Sequence, residues 1–295
     1  MDSVLALVLT YDARTALEEC LRSISAQTTP VNEILVIDNA SPEPVDDIVS
    51  AFPAARLLRS PENDGPAGGY AKGLAEFRKS HHAWVWIMDD DCRPELEALS
   101  RMREFSRNRN GDHPGVTLAD VRTADTGDRL SGIGWWGALI PHEIVEAVGV
   151  PNSELFWWTE DTEYLQWRIP EAGYPVDICP GALVHVNRTR ANAEKPAWKY
   201  YYEARNQVHH RLRVQRTDRR PMPRHLKVRV RAWRAIRSVS KLASRAAFVD
   251  RTDRGVKLSM VGRGAIDGLR GRLGKTVAAD SADRPRSAHP TDQLP

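Results

Sequence analysis

The sequence predicts an α/β fold, a mostly parallel sheet with helices on both faces, followed by a basic helical extension. Three observations carry this. Short apolar runs of strand length, Val4–Leu9, Glu33–Asp38 and Ala83–Met88, alternate with stretches whose apolar residues fall at helical spacing. These runs break into small polar or acidic residues, Thr10-Tyr11, Asp38-Asn39-Ala40-Ser41 and Asp89-Asp90-Asp91, as buried strands do when their carboxyl ends face a ligand cleft. The composition then shifts. Between Arg211 and Lys275 stand 20 Lys or Arg against 4 Asp or Glu, a charge of +16, so a chain of net charge +3 carries −13 in the remainder. A mildly acidic body with a cationic region points to an anionic surface as partner.

A chain of 295 residues, 41% of them hydrophobic, can hold one large α/β domain with an appendage, or two small domains. Cys20, Cys92 and Cys179 are far apart and odd in number, which fits neither a disulfide framework nor a zinc site and points to a reducing cytosol. The first nine residues lack a basic leader and a cleavage site and read as a strand. No stretch is long enough to span a bilayer.

In chain order, Val4–Leu9 is the first strand, and Leu17, Cys20, Leu21 and Ile24 form the apolar face of the first helix. Glu33–Asp38 is the second strand. Ala55–Arg59 is the third, followed by the glycine-dense turn Asn63-Asp64-Gly65-Pro66-Ala67-Gly68-Gly69 that leads into a helix. The next strand delivers Asp89-Asp90-Asp91. Three adjacent like charges repel, so a fold that keeps them close needs a cation, and hard oxygen ligands suit Mg²⁺ or Mn²⁺. The alternative is a solvated acidic turn. Pro94–Phe105 has helical spacing, while Arg107–Asp128, polar with Gly and Pro, is expected to be a surface loop.

Ile133–Ile140 reads as a strand and Glu143–Val148 as a short helix. Leu155–Tyr164 places acids after aromatics at the start of a helix running to about Arg168. Pro175–Cys179 and Leu183–Val186 are short strands, the second carrying His185, and Trp198–Arg213 is helical with Tyr201, Tyr202, Arg205 and Asn206 near its centre. From Arg224 to Phe248, Arg231, Arg234, Arg237, Lys241 and Arg245 fall near one helical face. Ala232, Trp233, Ile236, Val239, Leu242 and Ala243 fall near the other, which makes a basic amphipathic helix. Ala278–Pro295, polar and proline-bearing, is expected to be disordered.

Taken together and in this order, Thr10-Tyr11, Ile37-Asp38-Asn39-Ala40-Ser41, the Asn63 to Gly69 turn, Asp89-Asp90-Asp91, Gly137-Ala138-Leu139-Ile140 and Glu160-Asp161-Thr162-Glu163 resemble the family 2 inverting glycosyltransferases of the GT-A fold. The likeness spans roughly Ser3 to Asn206. Within that family the chain is similar to bacterial rhamnosyltransferases and galactan-initiating galactofuranosyltransferases, which share the Asn-x-Gly-x-x-Gly-Gly turn and a late Tyr-Tyr-x-x-Arg-Asn segment. The resemblance implies a GT-A (Rossmann-like) catalytic domain over 1–210, to which composition adds a basic helical region over 211–275 and a disordered tail over 276–295.

It also implies site roles. Asp38 would accept hydrogen bonds from a uracil or thymine N–H or the ribose hydroxyls, with Asn39 and Ser41 shaping the turn beside it. Thr10, Tyr11, Asn63, Gly68, Asp89, Asp90 and Arg205 would complete the donor site, the glycines allowing close backbone approach. Asp89 and Asp91 match the family's metal-binding Asp-x-Asp, with Asp91 bridging Mn²⁺ or Mg²⁺ to the donor diphosphate and His185 as an additional ligand. Asp161 aligns with the catalytic base, which takes the acceptor hydroxyl's proton on the face opposite the leaving group. Glu160, Trp157 and Trp158 would meet the acceptor.

Plainer roles stand beside these: a helix cap for Asp38, helix-terminus charges for Glu160 and Glu163, packing for the tryptophans, a structural His185 and an exposed helix face for Arg205 and Asn206. The Gln-x-x-Arg-Trp signature of processive synthases is missing, so one or a few additions per encounter are expected. The donor expected is UDP- or dTDP-linked galactofuranose or rhamnose, and the acceptor a polyprenyl-diphosphate-linked or other cell-envelope glycan. The basic helix would hold the enzyme peripherally on the cytoplasmic face of the plasma membrane, or pack on the catalytic domain. A sugar-phosphate nucleotidyltransferase is the rival enzyme, but it would carry Arg and Lys in a Gly-rich loop where this chain has Thr10-Tyr11-Asp12-Ala13. Nucleic acid is not the expected partner, since beyond Trp233 the cationic segment lacks interleaved stacking aromatics.

Overall fold

The computed structural model describes residues 3–110, 114–130, 132–187, 195–214 and 223–278. Its strands are β1 (Val4–Thr10), β2 (Glu33–Asp38), β3 (Ala55–Arg59), β4 (Trp84–Asp89), β5 (Cys92–Pro94), β6 (Val116–Thr123), β7 (Trp136–Pro141) and β8 (Val176–Val186). They form one sheet in the order β3-β2-β1-β4-β7-β6-β8-β5. The pairs β1–β2, β1–β4, β2–β3 and β6–β8 are parallel, whereas β4–β7, β6–β7 and β5–β8 are antiparallel. Every residue of β1 is buried because helices cover both of its faces.

Alternation along β1 divides the core into two layers. Val4, Ala6 and Val8 pack with Leu17, Cys20, Leu21 and Ile24 of α1 (Arg14–Ser25) and with Leu99 and Met102 of α4 (Ala98–Asn110). Leu5, Leu7 and Leu9 pack on the other face with Tyr70, Leu74 and Phe77 of α3 (Gly65–Lys79) and Ile144 and Val145 of α5 (His142–Val148). A short α2 (Asp46–Ser50) lies between β2 and β3 in the chain. The expected α/β class, mostly parallel with helices on both faces, is what the chain adopts.

Two expectations are corrected. The segment Arg107–Asp128, expected as a surface loop, contains β6, which sits inside the sheet between β7 and β8. Its polar residues hid it: Thr117 and Asp120 are both buried, and Asp120 is held by Arg129 at 3.0 Å and Arg122 at 3.4 Å. The two short strands expected on either side of Pro180 are one continuous β8, bent at Gly181 with φ +80°.

After β7 and α5, a wide π-type helical turn over Thr162–Arg168 leads into α6 (Ile169–Glu171). Three longer helices follow: α7 (Ala197–His209), α8 (Arg224–Ser244) and α9 (Arg254–Arg270). The predicted basic helix is α8, continued by a wide turn over Arg245–Val249. Leu242, Val239 and Ala243 pack against Tyr200 and Ala204 of α7 as their pattern requires. Trp233 and Ile236, expected on that same face, instead point outward at 58% and 64% exposure.

Helix α9, not distinguished by composition from the rest of the cationic region, docks on α7 through two glycines. A Cβ at Gly264 would stand 2.2 Å from the Tyr201 carbonyl oxygen, and one at Gly268 would stand 2.4 Å from that of Arg205. Only glycine lets the backbones approach so closely. Nearby, buried Lys257 pairs with Asp250 at 2.7 Å, and Asp250 also accepts the Tyr200 hydroxyl at 2.8 Å. Residues 279–295 of the expected disordered tail lie outside the described residues. Among the described residues no helix is long and apolar enough to cross a membrane.

Candidate active site

Because β1, β2 and β4 run parallel, their carboxyl ends share one edge of the sheet. The register sets Thr10 beside Asp38 and Leu9 beside Asp89, so three polar strand ends meet there. Asp38 is fully buried and accepts the Ser41 amide at 2.8 Å on one oxygen. The Arg59 guanidinium holds the other. Sequence reading did not assign Arg59, although its place at the end of the neighbouring strand, opposite Asp38 in register, was a usable signal.

Asn39 and Asn63 build the glycine turn rather than facing a cleft. The Asn39 amide donates to Asn63 Oδ1 and to the Gly65 carbonyl, both at 3.0 Å, and Asn63 Oδ1 accepts the Gly65 amide at 2.8 Å. Gly65 is at φ +67°, where a Cβ would stand 2.0 Å from the Phe156 carbonyl oxygen. Gly68 follows in the first turn of α3, pressed against Asp64. The same Phe156 carbonyl accepts the Ala67 amide at 3.2 Å, so the loop before Asp161 lies against the donor-side turn.

The acidic triplet is anchored from two sides. Asp90 accepts the Thr10 hydroxyl at 2.7 Å and the Tyr11 amide at 3.4 Å, tying the end of β1 to the end of β4. Asp89 accepts the Tyr70 hydroxyl. Burial, and next the charge of Asp91, push the Asp89 carboxyl well above the usual carboxylate range, with Asp90 and Asp161 adding to the effect. Asp161, from a distant part of the chain, is therefore within electrostatic reach of the strand-end acids.

Asp161 itself is half-buried, and burial raises its carboxyl to about 6 against the pull of the Thr162 amide and hydroxyl. Glu160 is buried beside it and pushed up by desolvation and then by Asp161, and its Oε2 has no hydrogen-bond partner among the described residues. Glu163 is occupied differently, clasped by Arg168 at 2.7 and 2.9 Å. Trp157 stacks on Trp158 at 5.1 Å and meets the edge of Trp198 at 5.4 Å, which makes it a packing residue. Trp158 is 44% exposed, with the Lys195 ammonium 5.0 Å from its ring centre.

A divalent cation suits this collection of hard, mutually repelling oxygens, since it would relieve the pressure that raises Asp89. Among the described residues no three Asp, Glu, His or Cys side chains form a ready-made metal cluster, so Asp89, Asp91 and His185 are not already gathered as one. His185 lies opposite Arg93 across the β5–β8 pair and its Nε2 sits 2.9 Å from Glu95 Oε1.

Arg205, expected at the donor, is fully buried instead. Its nitrogens reach Asn206 Oδ1 and the carbonyls of Glu154, Leu155 and Gly274, which leaves no fork for a phosphate. Lys275 enters the site unannounced: its ammonium donates to the Asn63 carbonyl at 2.8 Å and lies 5.7 Å from the Phe156 ring. Nothing local to the cationic region marks it for this position.

The sequence matches Glycosyl transferase family 2 over residues 6–187. It is 29% identical over 206 residues to galactofuranosyltransferase GlfT1 of Mycolicibacterium smegmatis, covering 60% of this chain and 68% of that protein. With GlfT1 of Mycobacterium tuberculosis it shares 28% identity over 207 residues, with the same coverage. Its fold is similar to that of the mannosyltransferase PcManGT from Pyrobaculum calidifontis, solved with GDP-Man and Mn²⁺, at TM-score 0.60 and 17% identity over 91% of this chain and 87% of that one. It is likewise similar to S. aureus TarS 1–349 in complex with UDP-GlcNAc, at TM-score 0.63 and 14% identity over 90% and 81% of the two chains. These likenesses agree with the GT-A type of fold. Since the family match runs from β1 through the end of β8 and spans more than half of the chain, the protein belongs to glycosyltransferase family 2 and is a glycosyltransferase.

Proposed function

We propose that the protein is a metal-dependent, inverting transferase that moves galactofuranose, with rhamnose second, from a UDP- or dTDP-linked donor to a hydroxyl of a lipid-linked or other cell-envelope glycan. The observation that carries this reading is the contact between the loop before Asp161 and the donor-side turn, where the Phe156 carbonyl accepts the Ala67 amide at 3.2 Å, with the Asp161 charge among those that raise Asp89. The galactofuranosyltransferase relatives favour the first sugar.

Above about pH 6 Asp161 is ionised and takes the proton of the acceptor hydroxyl as that oxygen attacks the anomeric carbon. The bond from that carbon to the diphosphate oxygen breaks with its electron pair leaving on the nucleotide, and attack from the opposite face inverts the centre. A divalent cation held by Asp91 and Asp89 would neutralise the charge growing on the diphosphate. His185 would join it only by leaving Glu95. Asp38, oriented in advance by Arg59 and the Ser41 amide, would read the nucleoside, while Thr10, Tyr11, Asp90 and the Asn39–Asn63–Gly68 turn frame it. Glu160 and Trp158 would face the acceptor.

The partner surface is an anionic membrane. Helix α8 carries seven Lys or Arg and no acid, with Trp233 and Ile236 outward and Phe248, 83% exposed, just beyond it. A basic face with aromatic and aliphatic tips lies in a lipid interface, each cation near anionic headgroups contributing on the order of 1 kcal/mol. Family membership sets aside the nucleotidyltransferase reading. The test is a panel of nucleotide-sugars scored for Mn²⁺-dependent nucleotide release. UDP-galactofuranose is expected to be turned over fastest, and absence of nucleotide release from every donor in the panel would overturn the proposal. Salt-sensitive binding to anionic vesicles and not to oligonucleotides checks the membrane surface.

A further inference from the structure

We propose that Arg205 and Asn206 are positioning residues, which hold the loop 154–158 in the path that presents Glu160 and Asp161, and that Gly274–Val277 complete the clamp. The inference rests on Asp161 acting as the base. It reassigns the Arg-Asn pair of α7 from donor contact to support of the base.

The loop cannot hold its shape by local preference. Phe156, Trp158 and Thr159 all lie at positive φ, at +59°, +72° and +81°, and none is a glycine. Such backbone is rare for bulky or β-branched residues and persists only where its surroundings enforce it. Asn206 supplies the enforcement: its Nδ2 reaches the carbonyls of Leu155, Trp157 and Trp158 at 2.9, 2.9 and 2.7 Å. Arg205 adds bonds to the carbonyls of Leu155 at 2.8 Å and Glu154 at 3.2 Å, and its Nε steadies Asn206 Oδ1 at 2.8 Å. Both side chains are fully buried. An arginine whose partners are neutral carbonyls in the interior is a brace, whereas one that reads phosphate presents its fork to a cleft.

The segment Gly274–Val277 closes the brace from the other side. The Gly274 amide donates to the Glu154 carbonyl at 2.8 Å, Arg205 Nη1 reaches the Gly274 carbonyl, and Thr276 Oγ1 meets the Tyr201 hydroxyl at 2.7 Å. Tyr202 exchanges bonds with Val277, donating to its carbonyl at 2.7 Å and accepting its amide at 3.0 Å. Lys275 lies between these anchors and holds the Asn63 carbonyl, so the strap joins the base loop to the donor-side turn. Removing Asn206 frees three peptide planes directly ahead of Glu160 and Asp161 to rotate toward ordinary φ.

The experiment compares wild type with Asn206→Leu and Arg205→Lys by amide hydrogen exchange over residues 154–163, by kcat with UDP-galactofuranose, and by binding of UDP with Mn²⁺. In both variants the loop amides are expected to exchange at least 10-fold faster and kcat to fall about 100-fold, with UDP affinity within threefold of wild type. Arg205→Lys keeps the charge that a phosphate would need but not the planar fork, so on this proposal it is no rescue. Unchanged exchange in the variants overturns the proposal, as does a tenfold loss of UDP affinity with the loop still protected. If Asn206→Leu does not fold, Arg205→Lys carries the same comparison. Exchange is read without turnover, so a wild-type protein that transfers no sugar would refute the base assignment while leaving the loop measurement intact.

Discussion

Two regions bring acids to the same edge, and they are held there by different means. Asp38, Asp89 and Asp90 stand at the ends of parallel strands, positioned by sheet register and by partners in the same half of the chain, Ser41, Arg59, Tyr70 and Thr10. Glu160 and Asp161 follow a loop at strained φ that is braced from α7 and from residues near the end of the described chain. The strand-end acids are therefore robust by construction, while the placement of the base depends on distant packing. Changes in α9 should reach the base first and the nucleotide side only secondarily, through Lys275 and the Phe156 carbonyl.

The largest effect expected is at the base itself. Asp161→Asn should lower kcat by 10²- to 10⁴-fold. It should also stabilise the metal-free protein at neutral pH by on the order of 1–2 kcal/mol, less than the full shift would give because the side chain keeps some contact with water. The sign follows from a folded carboxyl at about 6, above its unfolded value near 3.9. The ionised form weighs against folding above pH 6, and that burden lifts as pH falls through 6 toward 4. Thermal unfolding of both proteins at pH 7.5 and 4 checks both the rise and its disappearance.

Next in size is the α7–α9 seam, where the contrast between regions can be broken directly. Gly264→Leu drives a side chain into the Tyr201 carbonyl and should cost about 1–3 kcal/mol, with kcat falling as the strap lifts. Gly262→Ala on the same helix meets nothing within 4 Å, so it should leave kcat unchanged and, by helix propensity, stabilise the fold by about 0.5–1 kcal/mol. Denaturant unfolding together with turnover measures the pair. If Gly264→Leu loses UDP affinity and keeps kcat, the seam serves the nucleotide side instead.

A smaller and opposite effect belongs to the strand ends. Arg59→Met leaves buried Asp38 without its cation and should weaken UDP binding by about 10-fold, consistent with the 1–3 kcal/mol cost of an unsatisfied buried group. Its kcat at saturating donor should stay within threefold. Calorimetric titration with UDP separates the two parameters.

The same contrast explains what the sequence revealed. The strand ends were readable because period, burial and acid placement are local: Val4–Thr10, Glu33–Asp38 and Trp84–Asp89 fall where the apolar runs end. Strand β6 was not, since Thr117 and Asp120 look like loop residues until Arg129 and the neighbouring strands are in place. Arg205 carried the composition of a phosphate ligand but is enclosed by a helix whose docking depends on two glycines sixty residues on, a relation no window of sequence displays. Trp233 and Ile236 followed the helical period, but the contact with Tyr200 and Ala204 takes only the later part of their face, Val239, Leu242 and Ala243.

The most direct test of the account is the pH dependence of kcat/KM for UDP-galactofuranose with Mn²⁺ between pH 5 and 9, which reports the essential base of the free enzyme. Activity is expected to fall with unit slope below about pH 6, where Asp161 takes up its proton. A profile flat through pH 5 would contradict it.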